Sequence, residues 1–152
     1  MQDFTDPPFP EEDPGPQRPE QSVRLSRHRL SARAARSLLR TFLAGVPGAE
    51  VLAADGQIIV TELVTNAVVH ARVPGGTYIE VRFELVRDHL RIEVHDASGE
   101  KPVLRRSTGP DDLSGRGLRL VEALSARWGC TPRPGGTGKL VWALVGPEGG
   151  AR

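Results

Sequence analysis

The stretch TELVTNAVVHA, residues 61–71, combines the apolar periodicity of a buried helix with a row of polar side chains. Side chains four positions apart lie on one face of a helix, so Glu62, Asn66 and His70 form a polar stripe. The apolar faces beside this stripe are supplied by Leu63, Val64, Ala67 and Val68. The stripe is therefore either the solvated side of an amphipathic helix or the lining of a site.

Length and composition indicate one domain, since 152 residues are enough to bury a substantial core. The single Cys130 excludes an internal disulfide and fits a reducing compartment, so we expect a cytoplasmic protein. The simplest role of Cys130 is that of a small buried apolar residue on a strand. We expect no membrane span, because no stretch approaches about 20 apolar residues, and no signal peptide, because no charged start is followed by an apolar run.

The N-terminal segment MQDFTDPPFPEEDPGPQRPE is acidic and rich in proline. Its six acidic residues and one arginine give residues 1–20 a charge of −5, so the rest of the chain carries +6. Such a segment cannot bury enough apolar surface to offset its ordering entropy, and we predict a disordered tail over residues 1–22. We further predict an ordered domain over residues 23–147 and a flexible C-terminus over residues 148–152.

Helical periodicity appears in three places. Residues SARAARSLLRTFLAGV predict a first helix from Ser31, with Ser31 as its N-terminal cap, that ends near Gly45. A second helix is predicted from about Gly56 to Ala71. A third is predicted from Gly117 to about Arg127, with its apolar side directed inward at Leu118, Val121 and Leu124.

Strict alternation of apolar and polar residues predicts a hairpin formed by TYIEVRFELV and HLRIEVHD. The inner face of the first strand would carry Ile79, Val81, Phe83 and Leu85. RWGCTPR and KLVWALV predict two further antiparallel strands. The fold class is therefore α+β, a two-layer sandwich in which helices cover one face of a mostly antiparallel sheet.

Two further features carry chemistry. Asp96 ends a strand beside small residues, where it either accepts a hydrogen bond from an amino group of a flat ring or bonds its own backbone in a turn. In SGRGLRLV, residues 114–121, glycines at a helix start either leave N–H groups free for an anion or serve only the turn. The stretch lacks the third glycine of a dinucleotide fingerprint, and PGGTGKL lacks the residues of a phosphate-binding loop.

Metal and nucleic-acid sites have weaker support. The four histidines lack the spacing of metal ligands. Six arginines between Arg24 and Arg40 could contact phosphates, but aromatic residues are few and the acidic tail would compete. We therefore expect no direct binding of nucleic acid.

The order of these features resembles a known family. ELVTNAVVHA, VHDASGEKP, GRGLRLVEALSARWG and the closing GKLVWAL together resemble the Bergerat-type (GHKL) ATP-binding fold. More narrowly, the chain is similar to the small anti-sigma-factor serine/threonine kinases, especially those of actinobacteria. The resemblance covers roughly residues 25–146.

The resemblance implies a role for each matching residue. Asn66 would bind Mg²⁺, which bridges the ATP phosphates, and Glu62 would be the base that receives the proton of an attacking serine hydroxyl. Asp96 would accept a hydrogen bond from the adenine amino group. The remaining nucleotide contacts would come from Ser98, Gly99, Gly115, Arg116, Gly117, Leu118 and Thr137, and residues 103–114 would form a mobile lid.

Two positions depart from the family pattern. Ser98 stands where the family commonly has glycine, although Gly99 follows it. Leu140 stands where a threonine often helps to hold the adenine, with Thr137 nearby. The resemblance implies a sigma factor and an anti-anti-sigma antagonist protein as partners, and relatives often pair as homodimers.

Three functions stay open at this point. The chain could be an enzyme that sequesters a sigma factor and uses Mg-ATP to phosphorylate a serine of the antagonist. It could be a module in which ATP only shapes a surface for partners. It could also be an interaction protein without nucleotide, as the departures at Ser98 and Leu140 would allow.

Overall fold

The computed structural model describes residues 18–69, 78–96, 113–133 and 138–147, with residues 113–117 described as backbone only. The helices in these ranges are α1 (Ser31–Ala44), α2 (Ala53–Val69) and α3 (Leu113–Leu124), and a short 3-10 helix (Ala49–Leu52) precedes α2. The strands in the same ranges are β1 (Glu20–Ser26), β2 (Tyr78–Val86), β3 (His89–Asp96), β4 (Arg127–Pro132) and β5 (Lys139–Val145).

The strands form one sheet in the order β1-β2-β3-β5-β4, and every neighbouring pair is antiparallel. One hydrophobic core joins alternate residues of the strands to apolar residues of all three helices. The predicted α+β fold, an antiparallel sheet with helices on one face, is confirmed.

The predicted hairpin is present as β2 and β3. Ile79, Val81 and Phe83 are fully buried, and they face Asp96, Val94 and Ile92 across the ladder. Complete burial of such an aliphatic or aromatic side chain contributes about 1.5–3 kcal/mol. Because side chains alternate between the two faces of a strand, this inner row fixes the register of the pair.

The helix α2 lies at the centre of the helical layer. It packs against α1, α3 and β3, and it buries Ile59, Val60, Leu63 and Val64. Gly56 permits this close approach, because a Cβ atom there would lie 3.0 Å from Leu90 Cδ2 and 3.1 Å from Leu39 Cδ2. A larger residue at position 56 would push α2 away from both neighbours.

The segment Ala49–Val69 corrects one expectation. It is 21 residues long and, by length and composition alone, apolar enough to cross a membrane. Packing in the core accounts for part of its apolar surface, since Ile59, Val60 and Val64 are fully buried, whereas Val51, Ile58 and Val69 are exposed. Core helices of soluble proteins can have the same length and apolar composition.

The N-terminal boundary also differs from the prediction. Glu20, Gln21 and Ser22 belong to β1, so a disordered segment that extends to residue 22 is wrong at its end. The strand was missed because it lies at the edge of the sheet and places only Val23 and Leu25 against the core. Pairing with β2, which sequence periodicity does not report, supplies the rest of its stabilisation.

The starts of two helices also differ from the prediction. Ser31 is the first residue of α1, its side chain forms no cap, and its hydroxyl donates to the carbonyl oxygen of Ser26 at 2.5 Å. The third helix begins at Leu113 rather than Gly117. A glycine inside a helix costs only about 1 kcal/mol relative to alanine, which burial of Leu118 and Val121 can offset.

Candidate nucleotide site

The polar stripe of α2 is held in place by α1. Glu62 and Asn66 are both half-buried beside the buried Leu63. Next to them, Thr61 accepts a hydrogen bond from Arg36 Nη1 at 3.2 Å and donates to the carbonyl oxygen of Gln57 at 2.6 Å. The bond from Arg36 ties α2 to α1 beside the stripe, and the bond to Gln57 lies within α2, so the stripe extends from a rigid element.

Glu62 has the environment of a proton acceptor. Within the described ranges its carboxylate forms no hydrogen bond or ion pair. Burial raises the pKa of Glu62 above its ordinary value, because partial removal from water disfavours the charged form. A carboxylate with a raised pKa and no partner binds a proton more readily than an exposed one.

Asn66 has the features of a ligand-binding residue. Its Nδ2 atom is buried and has no hydrogen-bond partner among the described residues. Rotation of the amide can present either its oxygen or its NH₂ group, and an amide oxygen suits Mg²⁺. No group of three His, Cys, Asp or Glu side chains in the described ranges could hold a metal. A Mg²⁺ ion at Asn66 would therefore take most of its ligands from phosphates and water, as this ion commonly does.

Asp96 ends β3 on the inner face of the sheet. In the ladder it stands between Ile79 of β2 and Lys139 of β5, and only 1% of its surface is exposed. Its Oδ1 atom accepts a hydrogen bond from Nη2 of Arg27, which directly follows β1. The predicted adenine-binding carboxylate is thus buried and paired with a cation that the sequence analysis did not identify.

The glycine-rich segment lies inside α3. Gly115 is in the first turn of the helix, where backbone N–H groups have no intrahelical partner and can bind an anion. Arg116 and Gly117 follow further into the helix, which leaves Gly117 less able to offer a free N–H group than the prediction assumed. Leu118 is 2% exposed and belongs to the core, so only its backbone remains for a ligand.

Packing brings part of the predicted site together. The stripe of α2, Asp96 of β3 and the start of α3 belong to elements in contact, since α2 packs on both β3 and α3. Four predicted positions lie outside the described residues, as does most of the predicted lid, residues 103–112; the four are His70, Ser98, Gly99 and Thr137.

Two basic residues beside Asp96 were missed. Arg27 continues the two-residue alternation of Val23 and Leu25, which would have placed it on the inner face had β1 been predicted. Lys139 is 7% exposed and is the ladder partner of Asp96. The signal for Lys139 lies in sheet register rather than in sequence spacing.

Comparison with known families identifies the domain. A family model described as the histidine kinase-like ATPase domain matches residues 23–143, which include the α2 stripe, Asp96 and the start of α3. No curated protein matches the chain. Domains of this family bind ATP, usually with Mg²⁺, and some of them belong to kinases. The chain therefore belongs to the histidine kinase-like (GHKL) ATPase domain family.

Proposed function

We propose that the chain is an anti-sigma regulatory factor of the cytoplasm that binds Mg-ATP, sequesters a sigma factor and phosphorylates a serine of an anti-anti-sigma antagonist. Family membership supports the ATP-binding part of this function. The observation that carries the kinase part is the α2 stripe, in which the Glu62 carboxylate and the buried Nδ2 atom of Asn66 lie one turn apart and have no partner among the described residues.

The two residues of the stripe divide the chemistry. Glu62 accepts the proton of the serine hydroxyl as the serine oxygen bonds to the γ-phosphorus of ATP, the bond from that phosphorus to the β-phosphate oxygen breaks, and ADP leaves. The raised pKa of Glu62 suits this role. Asn66 orients the phosphate end of the nucleotide through its amide. Mg²⁺ bound there would neutralise phosphate charge and so favour transfer.

The adenine end has its own determinant in Asp96. Its buried carboxylate accepts hydrogen bonds and cannot donate them, so it suits the 6-amino group of adenine and opposes the 6-carbonyl of guanine. A mismatch of buried polar groups costs about 1–3 kcal/mol, or more when one is charged. We therefore expect ATP to bind at least about 5-fold more tightly than GTP.

Transfer of label from γ-labelled ATP to purified candidate antagonist proteins tests the kinase function. We expect label on a serine, dependence on Mg²⁺, and loss of both ATP binding and transfer in Asn66→Ala. The matched control is Thr65→Ala, an exposed position on the same helix. If the wild type binds ATP and a partner but labels no serine, the chain is a non-catalytic module in which ATP shapes a binding surface.

A further inference from the structure

Arg27 is a largely buried arginine at a position where the local sequence did not predict burial. It follows Ser26, the last residue of β1, and continues the inner-face row of that strand. Only 9% of its side chain is exposed, and the Asp96 side chain with which it pairs is 2% exposed. The charge of Arg27 is therefore held between the sheet and the helical layer, at the carboxylate proposed to recognise adenine.

The guanidinium of Arg27 has more donors than the surrounding protein uses. Nη2 donates to Asp96, whereas Nε and Nη1 are buried without a hydrogen-bond partner among the described residues. An arginine placed only to neutralise a carboxylate commonly donates two parallel hydrogen bonds to it. Buried donors without acceptors are costly, so this arrangement indicates a ligand that brings acceptors of its own.

The edge of adenine matches this arrangement. Its 6-amino group donates hydrogen bonds, and the ring nitrogens N1 and N7 on either side of that group accept them. Asp96 supplies an acceptor, and an ionised carboxylate has about four acceptor sites, so one hydrogen bond from Arg27 does not saturate it. Guanine presents a carbonyl at position 6, which opposes the Asp96 carboxylate, and a donor at N1, which opposes Arg27 if N1 is the nitrogen that Arg27 contacts.

We propose that Arg27 is a specificity-determining residue of the nucleotide site: Asp96 accepts from the 6-amino group while an N–H group of Arg27 donates to a neighbouring ring nitrogen. This inference rests on the proposed role of Asp96 in binding adenine. It adds a donor to a site in which the family resemblance supplied only an acceptor.

Calorimetry with Mg²⁺ and three nucleotides tests the proposal. The nucleotides are ATP, 1-deaza-ATP and 7-deaza-ATP, of which the last two each lack one ring nitrogen. We expect the wild type to bind one analogue about 10- to 100-fold more weakly than ATP, since that analogue loses a hydrogen bond from a charged donor. The affected analogue identifies the nitrogen.

Variants of Arg27 show whether that loss depends on this side chain. Arg27→Gln and Arg27→Lys should bind ATP about 10- to 100-fold more weakly, and neither should distinguish ATP from the affected analogue. Arg27→Lys keeps a positive charge beside Asp96, which guards against unfolding caused by an unpaired buried carboxylate. Arg33→Gln is the matched control, because Arg33 is exposed on α1 and should leave every affinity unchanged.

The possible results distinguish a failure of the inference about Arg27 from a failure of the proposed function. If both Arg27 variants fold and keep the wild-type ratio between ATP and each analogue, Arg27 only neutralises Asp96 and the inference is wrong. If the wild type binds no nucleotide, the proposed function fails and the inference fails with it. Tighter binding of ATP by Arg27→Gln would also contradict the inference, because it would show that Arg27 blocks the site.

Discussion

Glu62 is partly buried and Glu93 is almost fully buried, yet their surroundings shift the two pKa values in opposite directions. Glu62 lies on α2 without a partner in the described structure, and burial raises its pKa. Glu93 lies on the outer face of β3 and is 7% exposed. Burial alone would raise the pKa of Glu93, but the adjacent His95 imidazole and the charges of Arg91 and Arg82 lower it.

The difference shows that burial does not by itself decide what a carboxylate does. Arg91 Nη2 lies 3.4 Å and His95 Nε2 lies 3.7 Å from Oε1 of Glu93, so its charge is held by neighbours of its own strand. Among the described residues Glu62 has no such charged neighbour, so its carboxylate stays able to accept a proton. Environment therefore separates a structural carboxylate from a candidate base, as in other sites where neighbours tune pKa values.

The largest expected effect falls on catalysis. Glu62→Gln should reduce transfer of phosphate to the antagonist serine by about 10²- to 10⁴-fold, the usual contribution of a general base. Affinity for ATP should stay the same or rise slightly, because a negative charge near the phosphates is removed. Single-turnover transfer and calorimetry measure the two quantities.

Glu62→Asp sharpens this prediction. It keeps the charge but draws the carboxylate back by about one methylene, so an intermediate loss of transfer is expected. Transfer by Glu62→Gln at the wild-type rate would show that Glu62 is not the base.

A loss of stability, rather than of activity, is expected at Glu93. Glu93→Gln removes the charge that neutralises Arg91, and it should lower the free energy of unfolding by about 1–3 kcal/mol. Affinity of the folded protein for ATP should not change. Urea unfolding at neutral pH measures the loss.

Glu84→Gln provides the control for this variant. Glu84 pairs with Arg18 at 3.7 Å, and 41% of the Arg18 side chain is exposed, so the effect should be below about 1 kcal/mol. Equal stability of the Glu93 and Glu84 variants would contradict the structural role of Glu93.

A larger side chain on the outer face of the sheet should also lower the stability of the fold. A Cβ atom at Gly129 would lie 2.8 Å from Cζ2 of Trp142, which is 1% exposed and stacks at 5.8 Å from the Arg91 guanidinium. Gly129→Ala should therefore destabilise the fold by about 1–3 kcal/mol through overpacking, measured by urea unfolding. Gly45→Ala is the control, because a Cβ atom there meets nothing nearer than 3.5 Å. Similar stability of both variants would show that Trp142 can move.

The smallest expected effects concern the pH dependence of stability, and they have opposite signs for Glu93 and Glu62. The lowered pKa of Glu93 gives stability that is present above the unfolded value of 4.5 and is lost as pH falls through the folded pKa. The gap in stability between wild type and Glu93→Gln should therefore close in acid below pH 4.5. The raised pKa of Glu62 makes its ionised form unfavourable in the fold, so Glu62→Gln should slightly raise the melting temperature at neutral pH.

That small gain from Glu62→Gln should disappear as pH falls through the raised pKa towards 4.5, because wild-type Glu62 then becomes neutral. Thermal unfolding from pH 7 to pH 4 follows both differences. Parallel pH profiles for the Glu62 and Glu93 variants would show that the two carboxylates do not differ in the way described.

Much of the fold could be predicted from local pattern. The alternation in HLRIEVHD predicted β3 with the bounds His89–Asp96 that the structure has, and the periodicity after Ser31 predicted α1. The stretches around Glu62 and Asn66, around Asp96 and around Gly115, with the closing GKLVWAL, together resembled the ATP-binding family, and the match over residues 23–143 supports this. These features are readable because a helix or strand repeats its period within a few residues.

Only the tertiary structure decided which of these side chains have partners. Arg27 and Asp96 are separated by 69 residues, and they meet because β1 pairs with β2 and β2 pairs with β3. In the same way, sheet pairing stabilises β1 although it buries little apolar surface of its own. The amino-acid sequence determined which chemical groups exist and on which elements they lie. Their charge environment depended on strand register, since electrostatic energies depend on distance in space and on burial.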